Sequence, residues 1–169
     1  MTIDAVNATE SAGEQWRESI AQPISYAIAP PFVELARLAR ERPEEGRQKM
    51  WREALDDAVA AIASLTAVDG ATILDSEYDL LAFGAKIVRR KGSPQVEQVA
   101  VTEPIEGDVA FTVHPTQLGG TRHLSAAQFV HDQRRAVALV ASQDGRFTVF
   151  AWSPCEDMVH AHRVETLLL

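Results

Sequence analysis

Trp51, Leu55, Ala58, Val59, Ile62 and Leu65 fall at i, i+4, i+7, i+8, i+11 and i+14, one continuous apolar stripe along a helix predicted from about Glu44 to Leu65. Lys49, Glu53, Asp56 and Asp57 lie off the stripe. A helix this one-sided needs an apolar surface, and a face turned to the domain's own sheet is the commoner use of such a stripe than a partner-binding face. The sheet is predicted at once. Ala71 to Asp75 and Asp79 to Val88 read as a hairpin over the polar turn Ser76-Glu77-Tyr78, and Val96 to Val101 and Val109 to Val113 follow as strands. A helix is predicted from Ser125 to Arg134. Ala136 to Ala141 is an unbroken apolar run, the pattern of a strand buried on both faces, and Asp144-Gly145 turns it into a returning strand, Arg146 to Trp152. Helices set among this many strands predict an α/β (α+β) single domain, a central mixed or mostly antiparallel sheet with flanking helices.

The ends are less patterned. Met1 to Gly13 is small, polar and acidic and is expected to be disordered at the start. Glu14 to Ala27 suggests a short helix around Trp16 and Ile20, interrupted by Pro23. Pro30-Pro31 introduces a helix from Phe32 to Arg40, and Glu41 to Glu45, with Pro43, reads as a break. We therefore divide the chain into an N-terminal extension, residues 1–30, and a domain, residues 31–169. Asp157 to Leu169 fits either a last strand or a docking tail.

The 169 residues suffice for one core, and the formal net charge of −8 argues against a duplex-DNA or anionic-membrane surface, which would need a basic face. The short basic run Arg89-Arg90-Lys91 suits a solvated loop. Cys155 is the only cysteine, so no internal disulfide can form. There is no basic-then-apolar leader at the start and no span of about 18 apolar residues. The expectation is a cytoplasmic protein that binds neither DNA nor membrane.

The chemistry-bearing stretch is Gly119-Gly120-Thr121-Arg122-His123. Glycines leave backbone N–H groups uncovered, and a glycine turn opening a helix presents those donors at the positive end of the helix dipole, which suits a phosphate. Arg122 adds a fork able to grip phosphate oxygens. A plain tight turn with a helix cap and a surface arginine accounts for the same residues, and the residues alone leave both readings open. A second stretch, Val68-Asp69-Gly70-Ala71, puts a carboxylate at the entrance of a strand.

Together the two stretches resemble the nucleotide-binding core of the diadenylate cyclase domain family. That family carries Asp-Gly-Ala at the start of a strand and Gly-Thr-Arg-His-Arg-Ala-Ala at the mouth of a helix. Asp69-Gly70-Ala71 and Gly120-Thr121-Arg122-His123 match it fully, and Leu81 to Ile87 looks like the strand that passes under the adenine. The likeness runs from about Leu55 to Phe150. The stretch from Arg89 to Leu118 is longer than its counterpart in most cyclases and suggests an inserted hairpin.

The resemblance implies roles. Two ATP-bearing subunits would face each other, so a homodimer or higher homo-oligomer is implied. Asp69 would be the catalytic group, orienting the ribose 3′-hydroxyl and holding Mg²⁺ or Mn²⁺, and His123 would also approach the metal. Gly70, Ala71, Phe83, Gly84, Gly120, Thr121, Arg122 and His123 would bind the nucleotide and its phosphates. The departures bear on activity. Leu124 stands where the family has its second arginine, and Ala141-Ser142-Gln143 stands where it has Ser-Glu-Glu, although Asp144 lies one step away. Losing one transition-state charge contact costs about 2.7–4 kcal/mol. The expected function is a nucleotide or cyclic-dinucleotide sensor, catalytically impaired. The alternatives are an active, divergent diadenylate cyclase converting two ATP to cyclic diadenylate, and a structural interaction domain without a ligand.

Other chemistry is sparse in the sequence. His160-Ala161-His162 would set two imidazoles on one strand face, more often a polar strand face than a metal site, and Cys155 has no evident base.

Overall fold

In the computed structural model of the protein the described residues are 2–5, 18–21, 37, 45–76, 78–103, 109–142 and 145–165, with backbone alone for 2–5, 21, 45–51 and 165. The expected break at Glu41 to Glu45 lies largely outside them, as does the helix expected from Phe32 to Arg40, of which only helical Arg37 is described.

The described residues form an α+β fold. Strands β1 (Thr2–Ala5), β2 (Ile20–Ala21), β3 (Ala71–Asp75), β4 (Leu80–Ile87), β5 (Val99–Thr102), β6 (Phe111–Val113), β7 (Ala136–Ala141), β8 (Arg146–Ser153) and β9 (Met158–Glu165) join in one sheet. Its order is β2-β4-β3-β1-β7-β8-β9-β5-β6. The β1–β3 and β5–β9 pairs are parallel, and the other neighbouring pairs are antiparallel. The described helices are α1 (Glu45–Leu65), α2 (Thr116–Gly119) and α3 (Thr121–Asp132). None is long and apolar enough to cross a membrane.

The N-terminal expectation is corrected. Thr2–Ala5, expected to be disordered, is the strand that joins β3 to β7. Of Glu14 to Ala27, expected as a short helix, only residues 18–21 are described: Glu18 and Ser19 form a 3₁₀ turn, and Ile20 belongs instead to β2, paired with Ile87 of β4. A four-residue segment carries almost no local signal, and its strand conformation comes from neighbours on both sides. Within Asp157 to Leu169 the strand alternative holds for Met158–Glu165, since β9 pairs along its length with β8, and residues 166–169 lie outside the described residues.

The core lies between the sheet and α3. Ala126, Ala127, Phe129 and Val130 of α3 are fully buried, and they share one cluster with Ala138, Val140, Phe150 and Ala161 of β7, β8 and β9. Alanines on both surfaces let helix and sheet approach closely, and Phe129 and Phe150 fill the remaining volume. In β7 the residues Ala136, Ala138 and Val140 are buried while Val137 and Leu139 are only half-buried, so the expectation of two buried faces holds for one.

The stripe of α1 forms as a helix, but none of its described side chains belongs to that cluster: Leu55, Ala58, Ile62 and Leu65 are half-buried and Val59 is 48% exposed. Within Arg89 to Leu118, where an inserted hairpin is expected, β5 and β6 pair antiparallel. The basic run leading to it is strapped down. Asp132 Oδ2 accepts from the Arg90 N–H at 2.8 Å, and Gln128 Oε1 accepts from the Val96 N–H at 3.0 Å. Gln128 Nε2 donates to the Pro94 carbonyl at 3.1 Å and to Asp132 Oδ1 at 3.0 Å. Helix α3 thus carries the apolar contact with the sheet on one side and, through Gln128 and Asp132 at i and i+4, the polar clasp on residues 90–96 on another.

Candidate functional site

Helix α1 ends at Leu65, and Val68 closes its last turn by donating to the Leu65 carbonyl at 3.2 Å. The chain then turns through exposed Asp69 and enters β3 at Ala71, which is buried and pairs with Ala85. Gly70 has φ +122°, and a Cβ there would lie 2.5–2.8 Å from the backbone of Gly84. Gly84 has φ +60° and sits in a bulge: between the pairs Ala71↔Ala85 and Ile73↔Ala82, β4 carries one residue more than β3. Gly70, Ala71, Phe83 and Gly84 are therefore neighbours. The two glycines are explained by their own close approach, with no ligand needed to account for them.

The glycine turn differs from expectation in where the helix begins. Gly120, with φ 75° and ψ −150°, is the N-cap of α3, so Thr121, Arg122 and His123 form the helix's first turn rather than a loop ahead of Ser125. A positive φ at the glycine lets α3 start immediately after α2, one residue away. No side chain caps α3 and no acidic residue lies in its first turn. The Thr121 and Arg122 backbone N–H groups, at the start of the helix, have no acceptor within it, and the space around Gly120 is open, since a Cβ there would meet nothing within 4 Å. Thr121 and Arg122 are exposed beside it.

His123 behaves otherwise. It is 2% exposed and folds back over Gly119, where an added Cβ would overlap its Cε1 and Nδ1. The ring meets Phe150 edge-on, centroids 5.9 Å apart, and its Nε2 is 3.5 Å from Ser142 Oγ. Leu124 is half-buried.

The sheet register relates the two motifs. Thr72 of β3, Thr2 of β1 and Leu139 of β7 lie in one row, so β3 and β7 are two strand spacings apart, roughly 10 Å. Because β3 and β7 run in opposite directions, Asp69-Gly70 precedes that row at the same end where Ala141-Ser142 follows it. The contact of Ser142 with His123 brings the start of α3 to that end too. Asp69 and the Thr121-Arg122 turn, far apart in sequence, thus share one end of the sheet.

As metal ligands, Asp69 and His123 do not fit together here. Asp69 is exposed, whereas the imidazole is enclosed by Gly119 and Phe150. Among the described residues no group of three or more His, Cys, Asp or Glu side chains is placed to hold a metal ion.

Two other clusters lie elsewhere. His160 and His162 do share a face of β9, ring centroids 5.8 Å apart. His160 Nε2 is 3.0 Å from Glu156 Oε2, and His162 Nδ1 is 2.6 Å from Thr102 Oγ1. Burial first, and the His160 charge second, push the His162 pKa below its ordinary value. At the far end of α3, Ser93 Oγ donates directly to Asp132 Oδ1, and His131 Nδ1 lies 3.2 Å from the same oxygen. A relay needs the serine on one ring nitrogen and the carboxylate on the other. Here both approach Nδ1, so the arrangement is a structural clasp. Gln128 and Asp132 are not among the sequence-based site residues; their one signal in the sequence is a polar pair at i and i+4 off the apolar face of α3. Cys155 is a free, exposed thiol.

Comparison of the chain with protein-family models, with curated proteins and with solved structures gives no match.

Proposed function

We propose that this protein is a nucleotide or cyclic-dinucleotide sensor domain, similar to the diadenylate cyclase domain in its two motifs and impaired in catalysis. The observation that carries the reading is the shared end of the sheet: Asp69-Gly70 and the Gly120-Thr121-Arg122 turn lie there together. The turn offers what a phosphate takes, namely first-turn amides without an intrahelical acceptor, an open glycine and an exposed guanidinium. Asp69 is the exposed carboxylate through which Mg²⁺ or Mn²⁺ carried by those phosphates would be held. Ala71 and Phe83 would border the base. A cytoplasmic setting suits the single free thiol.

Leu124 and Ser142 support a sensor over a cyclase. A half-buried leucine supplies no charge to a transition state, and Ser142 presents a hydroxyl where the resembled family has a carboxylate. Binding needs only the donors that remain.

Titration calorimetry with ATP and with cyclic diadenylate tests binding, and incubation with ATP and Mn²⁺ or Mg²⁺ followed by product chromatography tests turnover. Saturable binding of either ligand without a cyclic product is the expected result. Accumulation of cyclic dinucleotide, abolished by Asp69→Asn, would establish a cyclase, and no binding of either ligand would leave an interaction domain.

A further inference from the structure

We propose that His123 is a positioning residue for the phosphate turn, acting through Gly119 and Ser142 and not as a ligand to the phosphate; this rests on the reading of Gly120-Thr121-Arg122 as that turn. The imidazole belongs to the first turn of α3, yet it points back against the last residue of α2. An added Cβ on Gly119 would overlap the Cε1 and Nδ1 atoms and lie 3.1 Å from Nε2, so the ring occupies the space a side chain at 119 would take. Gly119 is absent from the residues with positive φ, so its backbone does not demand glycine. The room it leaves serves the ring.

The other side of the ring rests edge-on against Phe150 of β8, and Nε2 reaches toward Ser142 at the end of β7. One side chain therefore spans the last residue of α2, the start of α3, and the β7–β8 turn. With the ring seated, α2 and α3 meet at a fixed angle, and that angle sets the direction of the Thr121 and Arg122 amides and of the Arg122 stem. A ring 2% exposed and covered on both sides has little surface left for a phosphate.

Gly119→Ala removes no donor and no charge, and therefore separates positioning from contact. In thermal melts of the free protein Gly119→Ala should lower Tm in the presence of His123. In the His123→Ala background it should raise Tm, because alanine is the better helix residue once the ring is gone. Calorimetry with ATP should show Gly119→Ala and His123→Ala each weakening binding about tenfold, the size of one misaligned charged hydrogen bond, with the double variant no weaker than His123→Ala. The ring nitrogen resonances of His123 should stay where they are when ATP is added. Normal ATP binding by Gly119→Ala beside a loss in His123→Ala would overturn the proposal, as would an ATP-induced move of the ring nitrogens to imidazolium shifts. Should the unmodified protein bind neither ATP nor cyclic diadenylate, the sensor reading falls. The melts then decide the link between His123 and Gly119 alone, and additive Tm changes would end it.

Discussion

The backbones of Gly70 and Gly84 touch: a Cβ on Gly70 would lie 2.5 Å from the carbonyl carbon of Gly84 and 2.7 Å from its oxygen. Neither backbone can yield without disturbing the β3–β4 pairing at Ala71↔Ala85. Gly70→Ala should therefore destabilise the protein by more than the roughly 1–3 kcal/mol of a strained φ alone. Gly92→Ala is the control, since Gly92 also has a positive φ, +84°, but has nothing within 4 Å of its added Cβ. Denaturant unfolding of the two variants gives the comparison, and equal losses would refute the close approach.

The Asp132 carboxylate, fully buried, accepts from the Arg90 N–H, Ser93 Oγ and Gln128 Nε2. Each buried donor left without its acceptor costs about 1–3 kcal/mol, so Asp132→Ala should lose about 3 kcal/mol or more. Ser93→Ala, which removes one donor and leaves the others paired, should lose much less. Hydrogen exchange should report the difference at the Arg90 amide, deprotected in the first variant and still protected in the second.

The lowered pKa of His162 sets a direction for stability against pH. With the folded-state pKa below the unfolded value of 6.5, the unfolded chain takes up the proton first, so stability is lost as pH falls below 6.5 toward the folded value. Melts from about pH 7.5 to 5.5 should show this fall flattened in His162→Gln. Burial is the larger cause and the His160 charge the smaller, so His160→Gln should flatten it less. A steeper fall in His162→Gln would contradict the assignment.

Arg122 is exposed in the first turn of α3 beside half-buried Leu124, and it is the cation of the phosphate turn we propose there. Arg122→Ala should weaken ATP or cyclic diadenylate about ten- to hundredfold and leave Tm unchanged, because the side chain lies outside the core. Arg122→Lys should recover only part, since an ammonium lacks the two-pronged geometry. Undiminished nucleotide binding by Arg122→Ala would remove the phosphate-turn reading.

Local pattern by itself determined the elements of the fold. The stripe from Trp51 to Leu65 specified α1, short strand-like runs bounded by turns specified β3, β7 and β8 nearly to the residue, and Asp-Gly and Gly-Gly marked turns. These signals depend on periodicity and on glycine, which act within a few residues. Tertiary structure alone decided the rest. Thr2–Ala5 became a strand because β3 and β7 flank it. Gly70 and Gly84 were legible as candidate ligand contacts, but their mutual approach depends on a bulge that only strand pairing creates. His123 was legible as part of a phosphate motif, whereas its burial depends on where Gly119 and Phe150 stand in space. Residue type says which chemistry a side chain can perform. Whether it faces a ligand or the core is set by contacts between segments distant in the chain, and that information appears only once the sheet has assembled.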